Sequence, residues 1–283
     1  MAESLDRARP LGVDWIHGSV SAKHNTDPDI QVHWHDEHTA VMRQNKAVDY
    51  EAPFMFLFFG DARAVLIDTG ATEDLEFFPL RTTVDSLITE WLGQHPRDGY
   101  DLVVLHTHTH GDHVAGDGQF SDRARTTVVP ASLPDCYDFL DLTTDLDRPA
   151  RLDLGGRVVD CIASPGHDEA AISFYDASTG FLLTGDTVYP GRLYVRDWPA
   201  FVATIDRLVA FADQHPVSHV LGCHIEMTTS PGVDYPIRTI YQPDEPPLEM
   251  SVAQLRDVQR AVAEIGDGVG RHVYPDFVIH HLG

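Results

Sequence analysis

LHTHTHGDHVAG, residues 105–116, sets four histidines (His106, His108, His110, His113) and one aspartate (Asp112) within a single turn-forming stretch. So dense a run of imidazoles is hard to keep in a fold, because each buried ring needs a partner for both nitrogens. A metal centre supplies those partners. If one is built here, the rest of the chain must hold the remaining ligands.

Composition narrows the class. The chain has 283 residues, 43% of them hydrophobic, enough to bury a substantial core without disulfide or metal staples. No composition break, repeat or low-complexity tract marks a linker, so residues 1–283 are expected to form a single domain. Three cysteines, Cys136, Cys161 and Cys223, lie far apart without CxxC spacing, which argues against a disulfide framework and for a reducing cytoplasm. The start, MAESLDRARPLGVDW, has no apolar core of a signal peptide, and no apolar run reaches the roughly 18 residues of a membrane span. A formal charge of −24 excludes the basic face that nucleic-acid binders present. Of 20 basic residues only Lys23 and Lys46 are lysines, which we read as coding bias.

Around the opening stretch, the pattern predicts alternating strands and helices. APFMFLFFG (52–60) and ARAVLIDTG (62–70) form a hairpin about Gly60-Asp61. TTVDSLITEWLGQH (82–95) places Val84, Leu87, Ile88, Trp91 and Leu92 on one helical face. YDLVVL (100–105) is a buried strand running into the histidines, followed by a strand at 126–131 and a short helix at 132–141. RLDLGGRVVDCIASPGH (151–167) reads as two strands about Gly155-Gly156 and then His167. AISFYDASTGFLLTGD (171–186) repeats this form and ends in Asp186. A helix at 198–215 precedes SHVLGCH (218–224), a strand ending in His224. The proline-rich passage 226–250 is expected to be an ordered loop over the site, and a last helix spans about 251–265. Four strands thus end in a polar, ligating residue type, the arrangement by which α/β proteins gather a site at one sheet edge.

The donor count closes. His108 and His110, separated by one residue, can chelate one ion; Gly111 lets the chain bend, and Asp112-His113 then point at a second. Zinc takes neutral imidazole and carboxylate at about 2.0–2.2 Å and prefers four ligands. His167 and His224 complete the two sets, leaving Asp186 to bridge them. His106 falls outside this frame and is read as a packed strand residue. HWHDEH (33–38) imitates the spacing without downstream partners and is read as strand. Cys223 alternates away from His224 as a buried thiol, and His280-His281 are read as solvated.

These motifs, Thr107-His-x-His-x-Asp-His113, LIDTG with Asp68, SPGH with His167, TGDTVY with Asp186 and GCH with His224, resemble those of the metallo-β-lactamase superfamily, in its order. The resemblance implies an α/β fold, the αββα four-layer sandwich, with the site at the sheets' shared edge. It implies a first metal site of His108, His110 and His167, a second of Asp112, His113 and His224, Asp186 between them, and Asp68 bracing the metal loop. The cofactor expected is Zn2+, two ions per chain, although imidazole and carboxylate accept manganese and iron as well.

Two zinc ions about 3.5–4 Å apart hold hydroxide near neutral pH and polarise a carbonyl. Asp112 is placed to orient the hydroxide and carry its proton to the leaving group. No GxSxG elbow offers a serine nucleophile. The expected reaction is therefore hydrolysis of a small-molecule ester, lactone or thioester by metal-bound hydroxide, with a mono-iron persulfide dioxygenase-like activity or β-lactam hydrolysis as alternatives. The aspartate at 186 is similar to the hydroxyacylglutathione hydrolase and lactonase branches. Two features depart from them: HDEAAISFY after His167 lacks the familiar Thr/Ser and Pro-Gly, and YQPDEPPLEM is acidic where glutathione-holding members are basic. Tyr189 is assigned a catalytic role, its hydroxyl reaching the substrate carbonyl as in lactonases, with a packed aromatic as the other reading; Tyr194 is the weaker candidate. By resemblance a homodimer is plausible.

Overall fold

The structure is a computed structural model describing residues 11–143 and 145–283; most of the N-terminal stretch read for a signal peptide lies outside them. Six strands form the first sheet, in the order of the chain: β1 (Ile30–Asp36), β2 (Thr39–Gln44), β3 (Phe54–Phe59), β4 (Arg63–Ile67), β5 (Asp101–Leu105) and β6 (Thr126–Val128). β1 to β4 pair antiparallel, and β5 and β6 add in parallel. The crossover from β4 to β5 carries helix α1 (Leu80–Gln94), and a single helical turn, α2 (Gly111–Val114), follows β5. β6 stops at Val128 rather than running to 131, since Pro130 has no N–H to extend the ladder.

After α3 (Leu133–Leu140) the second sheet begins with an antiparallel meander, β7 (Ala150–Asp153), β8 (Val158–Ala163), β9 (Ile172–Asp176) and β10 (Phe181–Gly185). β11 (Arg192–Val195) leaves this sheet, helix α4 (Trp198–Gln214) crosses over, and β12 (His219–Gly222) returns parallel to β10, flanked by β13 (Glu249–Met250). Helix α5 (Val252–Ile265) starts with a capping box in which the Ser251 side chain accepts from the Gln254 N–H and the Gln254 side chain accepts from the Ser251 N–H. Two short strands, β14 (Gly270–Val273) and β15 (Val278–His281), then join β11 in a third sheet with β15 in the middle.

FMFLFF explains the layering. Side chains of a strand alternate between faces, and both faces of β3 are covered. Phe54, Phe56 and Phe58 pack with Phe174, Phe181 and Leu183 of the second sheet. Met55, Leu57 and Phe59 pack with Val84, Leu87, Ile88 and Trp91 of α1. On the other side, Leu182 and Val220 meet Phe201, Ile205 and Leu208 of α4 and Leu255 and Val258 of α5. The result is the αββα sandwich.

The third sheet was not foreseen, and it corrects the reading of the C-terminal histidines as solvated. His281 is buried, with its ring stacked on Trp198 at 4.3 Å and Nδ1 3.1 Å from the Gly268 carbonyl oxygen. His280 is half-buried against Tyr194. Among the described residues no helix is long and apolar enough to cross a membrane.

Candidate metal centre

The loops that leave the C-terminal ends of β5, β8, β10 and β12 bring the seven foreseen residues together. His108, His110 and His167 form one group, and Asp112, His113, Asp186 and His224 another, the ligating atoms of each lying within 4.8 Å of one another. Gly185 makes the approach possible: its φ is +52°, and a Cβ there would sit 2.7 Å from Thr107 Cβ.

The hydrogen bonds fix which nitrogens face inward. His167 Nδ1 lies 2.7 Å from the Tyr194 carbonyl oxygen and His224 Nδ1 3.0 Å from that of Glu51. His113 Nδ1 lies 2.9 Å from Asp68 Oδ2. Carbonyls and carboxylates only accept, so each of these nitrogens carries the proton and the Nε2 of a neutral ring is left as a lone pair. In the first group, His108 Nε2 and His167 Nε2 both face His110 Nδ1 at 3.0 Å. In the second, His113 Nε2 and His224 Nε2 stand 3.4 Å apart, with Asp112 Oδ2 at 3.3 and 3.2 Å from them.

Asp186 stands between the groups. Its Oδ1 is 3.6 Å from His113 Nε2 and 3.4 Å from His224 Nε2, while Oδ2 is 4.0 Å from His108 Nε2 and 3.8 Å from His167 Nε2. Asp186 Oδ1 is buried with no hydrogen-bond partner among the described residues. Converging lone pairs without donors are costly to bury unless a cation completes them. The donor set fits divalent metal.

With protons alone, the electrostatics strain in the same direction. Burial opposes charge on His113 and His224, yet the surrounding carboxylates win: Asp68, Asp186 and Asp112 raise His113 well above its ordinary value, and Asp186 and Asp112 push His224 up to about 9. Against the same burial, His113 and His224 hold the Asp112 and Asp186 carboxyls far below the usual range. Burial depresses His108 and His110, reinforced by the neighbouring imidazoles. A positive charge is wanted at the second group and an electron-pair acceptor at the first.

Asp68 organises the loop from behind. It is a non-glycine residue at φ +66°, a conformation costing about 1–2 kcal/mol for an L-residue. From there its carboxylate accepts from the Thr107 N–H (2.7 Å), the Thr107 hydroxyl (2.9 Å), His113 Nδ1 and the Cys223 thiol (3.2 Å). Burial, with Asp68 beside it, raises the Cys223 thiol well above its ordinary value, so it is a buried thiol as expected. Two supports escaped the sequence reading. His106, packed as foreseen, has Nε2 2.8 Å from Asp117 Oδ1, which also accepts from Thr69, whose N–H donates to the His113 carbonyl. Asp168, the departure after His167, accepts from the Thr109 hydroxyl at 2.6 Å and from the Ala170 N–H at 2.8 Å, joining the two ligand loops.

Tyr189 does not match its assigned role. Its hydroxyl is buried, 2.6 Å from the Arg192 carbonyl oxygen and 3.0 Å from Glu226 Oε2, and burial with Glu226 beside it pushes the phenol well above its ordinary value. The ring lies 5.8 Å from that of His224, centroid to centroid. It is the packed aromatic of the two readings. HWHDEH also stays away from the centre. Glu37, His38 and His95 do form a surface group of ligand types, but Trp91 Nε1 donates to His38 Nδ1 at 3.0 Å, so the neutral ring's Nε2 is protonated and closed to a metal.

Residues 49–259 match the family model of the metallo-beta-lactamase superfamily, and the chain belongs to that superfamily. Among named relatives, a hydroxyacylglutathione hydrolase of Rhizobium meliloti is 28% identical over 167 residues, 56% of this chain and 61% of its own length. The Gallus gallus acyl-coenzyme A thioesterase MBLAC2 is 27% identical over 207 residues, 61% of this chain and 72% of its own. The chain thus spans about three fifths of the Rhizobium protein. The crystal structure of a metallo beta lactamase from Erythrobacter litoralis, with beta-mercaptoethanol in its active site, superposes with a TM-score of 0.56 at 14% identity, covering 85% of this chain and 99% of that one. At that identity it speaks for the fold.

Proposed function

We propose that this chain is a metal-dependent hydrolase with a binuclear zinc centre that cleaves a small acyl thioester, ester or lactone. His108, His110 and His167 would hold one ion, Asp112, His113 and His224 the other, and Asp186 would touch both. One observation carries the reading: Asp186 is buried with an oxygen toward each imidazole group, and Oδ1 has no donor among the described residues. Two such ions supply Lewis acidity, polarising an acyl carbonyl and making water nucleophilic near neutral pH.

The chain's own residues do the rest. His110 and Asp112 are the most exposed members of the two groups, with 27% and 21% side-chain exposure against 10% or less for the others, so substrate enters on their side. Asp112 turns Oδ2 toward the His113 and His224 nitrogens, where the ion would sit, leaving Oδ1 to orient the attacking water and take its proton to the leaving group. Cys223 is no nucleophile, being buried and hydrogen-bonded to Asp68. Thioesters lead the substrate classes because the relatives are named for removing acyl groups from glutathione and coenzyme A.

The test is His110→Ala assayed on a panel of thioesters, aryl esters and lactones. Turnover should be abolished, and near wild-type rates in that variant would refute the mechanism.

A further inference from the structure

A cavity of about 80 Å³ lies beside the metal centre, between the β2–β3 loop and residues 236–242. It shares wall with the centre: Glu51 and Tyr194 line it, and their carbonyls hold His224 and His167. Two other lining residues are unusual. Lys46 is 3% exposed, and its ammonium donates to the Tyr50 carbonyl at 3.2 Å. Glu245 is 3.9 Å away but has both oxygens on Arg43, at 2.6 and 2.7 Å. Among the described residues, two of the three ammonium protons have no acceptor within hydrogen-bond distance, Glu245 lying at ion-pair range only. Gln242 is 4% exposed, and its Oε1 is buried without a hydrogen-bond partner among the described residues.

The acids on the same wall are already engaged. Glu226 pairs with Arg192 and the Tyr189 hydroxyl, and Glu51 with the Tyr50 hydroxyl. Lys46 and the exposed Arg238 are left as the cations of a cavity in a chain whose net charge is −24. A buried ammonium whose one ion-pair partner, Glu245, is shared with Arg43 is costly, and burial, with Arg43 nearby, pushes Lys46 down to about 8. A small anion would complete it. The cavity has room for a carboxylate and its methylene. Turned over, the Gln242 amide offers N–H to the same group.

We propose that this cavity binds a carboxylate borne by the substrate, with Lys46 as the counter-charge and Gln242 as a hydrogen-bonding partner. The inference rests on the hydrolase reading and narrows its substrates to acyl compounds that carry a carboxylate on the acyl or the leaving group.

The test separates the two. Calorimetry on metal-loaded protein would compare 4-(methylthio)butanoate, which cannot be hydrolysed, with its primary amide. Wild type should bind the carboxylate at least tenfold more tightly, Lys46→Met should erase the difference, and Lys46→Arg should restore part of it, with metal content unchanged throughout. Equal binding of acid and amide by wild type, or no binding of either, overturns the proposal without recourse to a variant. A preference that survives in Lys46→Met overturns it too. If the preference depends on Lys46 but no acyl compound is turned over, the hydrolase reading fails and the cavity stands. If thioesters are cleaved with no acid preference, the reverse holds.

Discussion

Asp68 gathers four donors onto one carboxylate from a backbone conformation that few non-glycine residues adopt. Such strain persists where the surroundings over-determine it, here by fixing Thr107 and the proton on His113 Nδ1. Asp68→Ala should weaken metal binding by about 10–100-fold, the usual effect of removing a group that orients a ligand. Competition against a chelator of known affinity would measure it, and unchanged affinity would remove Asp68 from the account. Tyr189→Phe should leave kcat and KM within about twofold and cost about 1–3 kcal/mol of stability, because Glu226 loses a buried donor; a large fall in kcat would reinstate the hydroxyl as a catalytic group. At this scale the residues that gather at the candidate centre were legible because imidazole and carboxylate at strand ends have few other uses. The carbonyls of Glu51 and Tyr194 were not, since every residue has one and only the folded chain selects which meets a ring nitrogen. The burial of the Tyr189 hydroxyl depends on Glu226, 37 residues away, and no spacing reveals it.

Arg157, on the β7–β8 hairpin, ties the two large sheets together. Its Nε and Nη2 donate to Asp176 of β9 at 2.9 and 2.8 Å, while Nη1 reaches the His38 carbonyl and Nη2 the Thr39 hydroxyl of the first sheet. Both charged residues are buried, so removing one partner strands the other. Asp176→Asn should cost about 3–5 kcal/mol, read from denaturant unfolding. Burial opposes ionisation of Asp176, but Arg157 and Thr179 hold its folded-state pKa below the ordinary value. The unfolded chain therefore binds the proton more readily, so this contribution is fully present above about pH 4, the unfolded value, and is lost as pH falls through the lowered folded value. Wild type should lose more stability than Asp176→Asn across that acid window, and parallel curves would contradict the clamp. The large elements were readable because FMFLFF, DLVVL and the α1 face carry strong periodicity. β14 and β15 were not: GRHV and VIHH are four residues each, β14 is largely exposed, and neither shows an apolar alternation.

For the molecule as a whole, the metal centre is a seam. His108, His110, Asp112 and His113 come from the first sheet, and His167, Asp186 and His224 from the second. Ions bound there would stabilise the folded chain by mass action, about 4 kcal/mol at a thousandfold excess over Kd, which corresponds to a Tm shift on the order of 10 °C for a chain of this size. Chelation should lower Tm by that order and readdition of zinc should restore it; a Tm indifferent to chelator would mean that the sheets do not depend on the centre. The central claim is the pair of ions itself. Its most direct test is elemental mass spectrometry of protein purified without chelators or added metal. Close to two zinc ions per chain is the result predicted, and close to one iron per chain, or no transition metal, would contradict it.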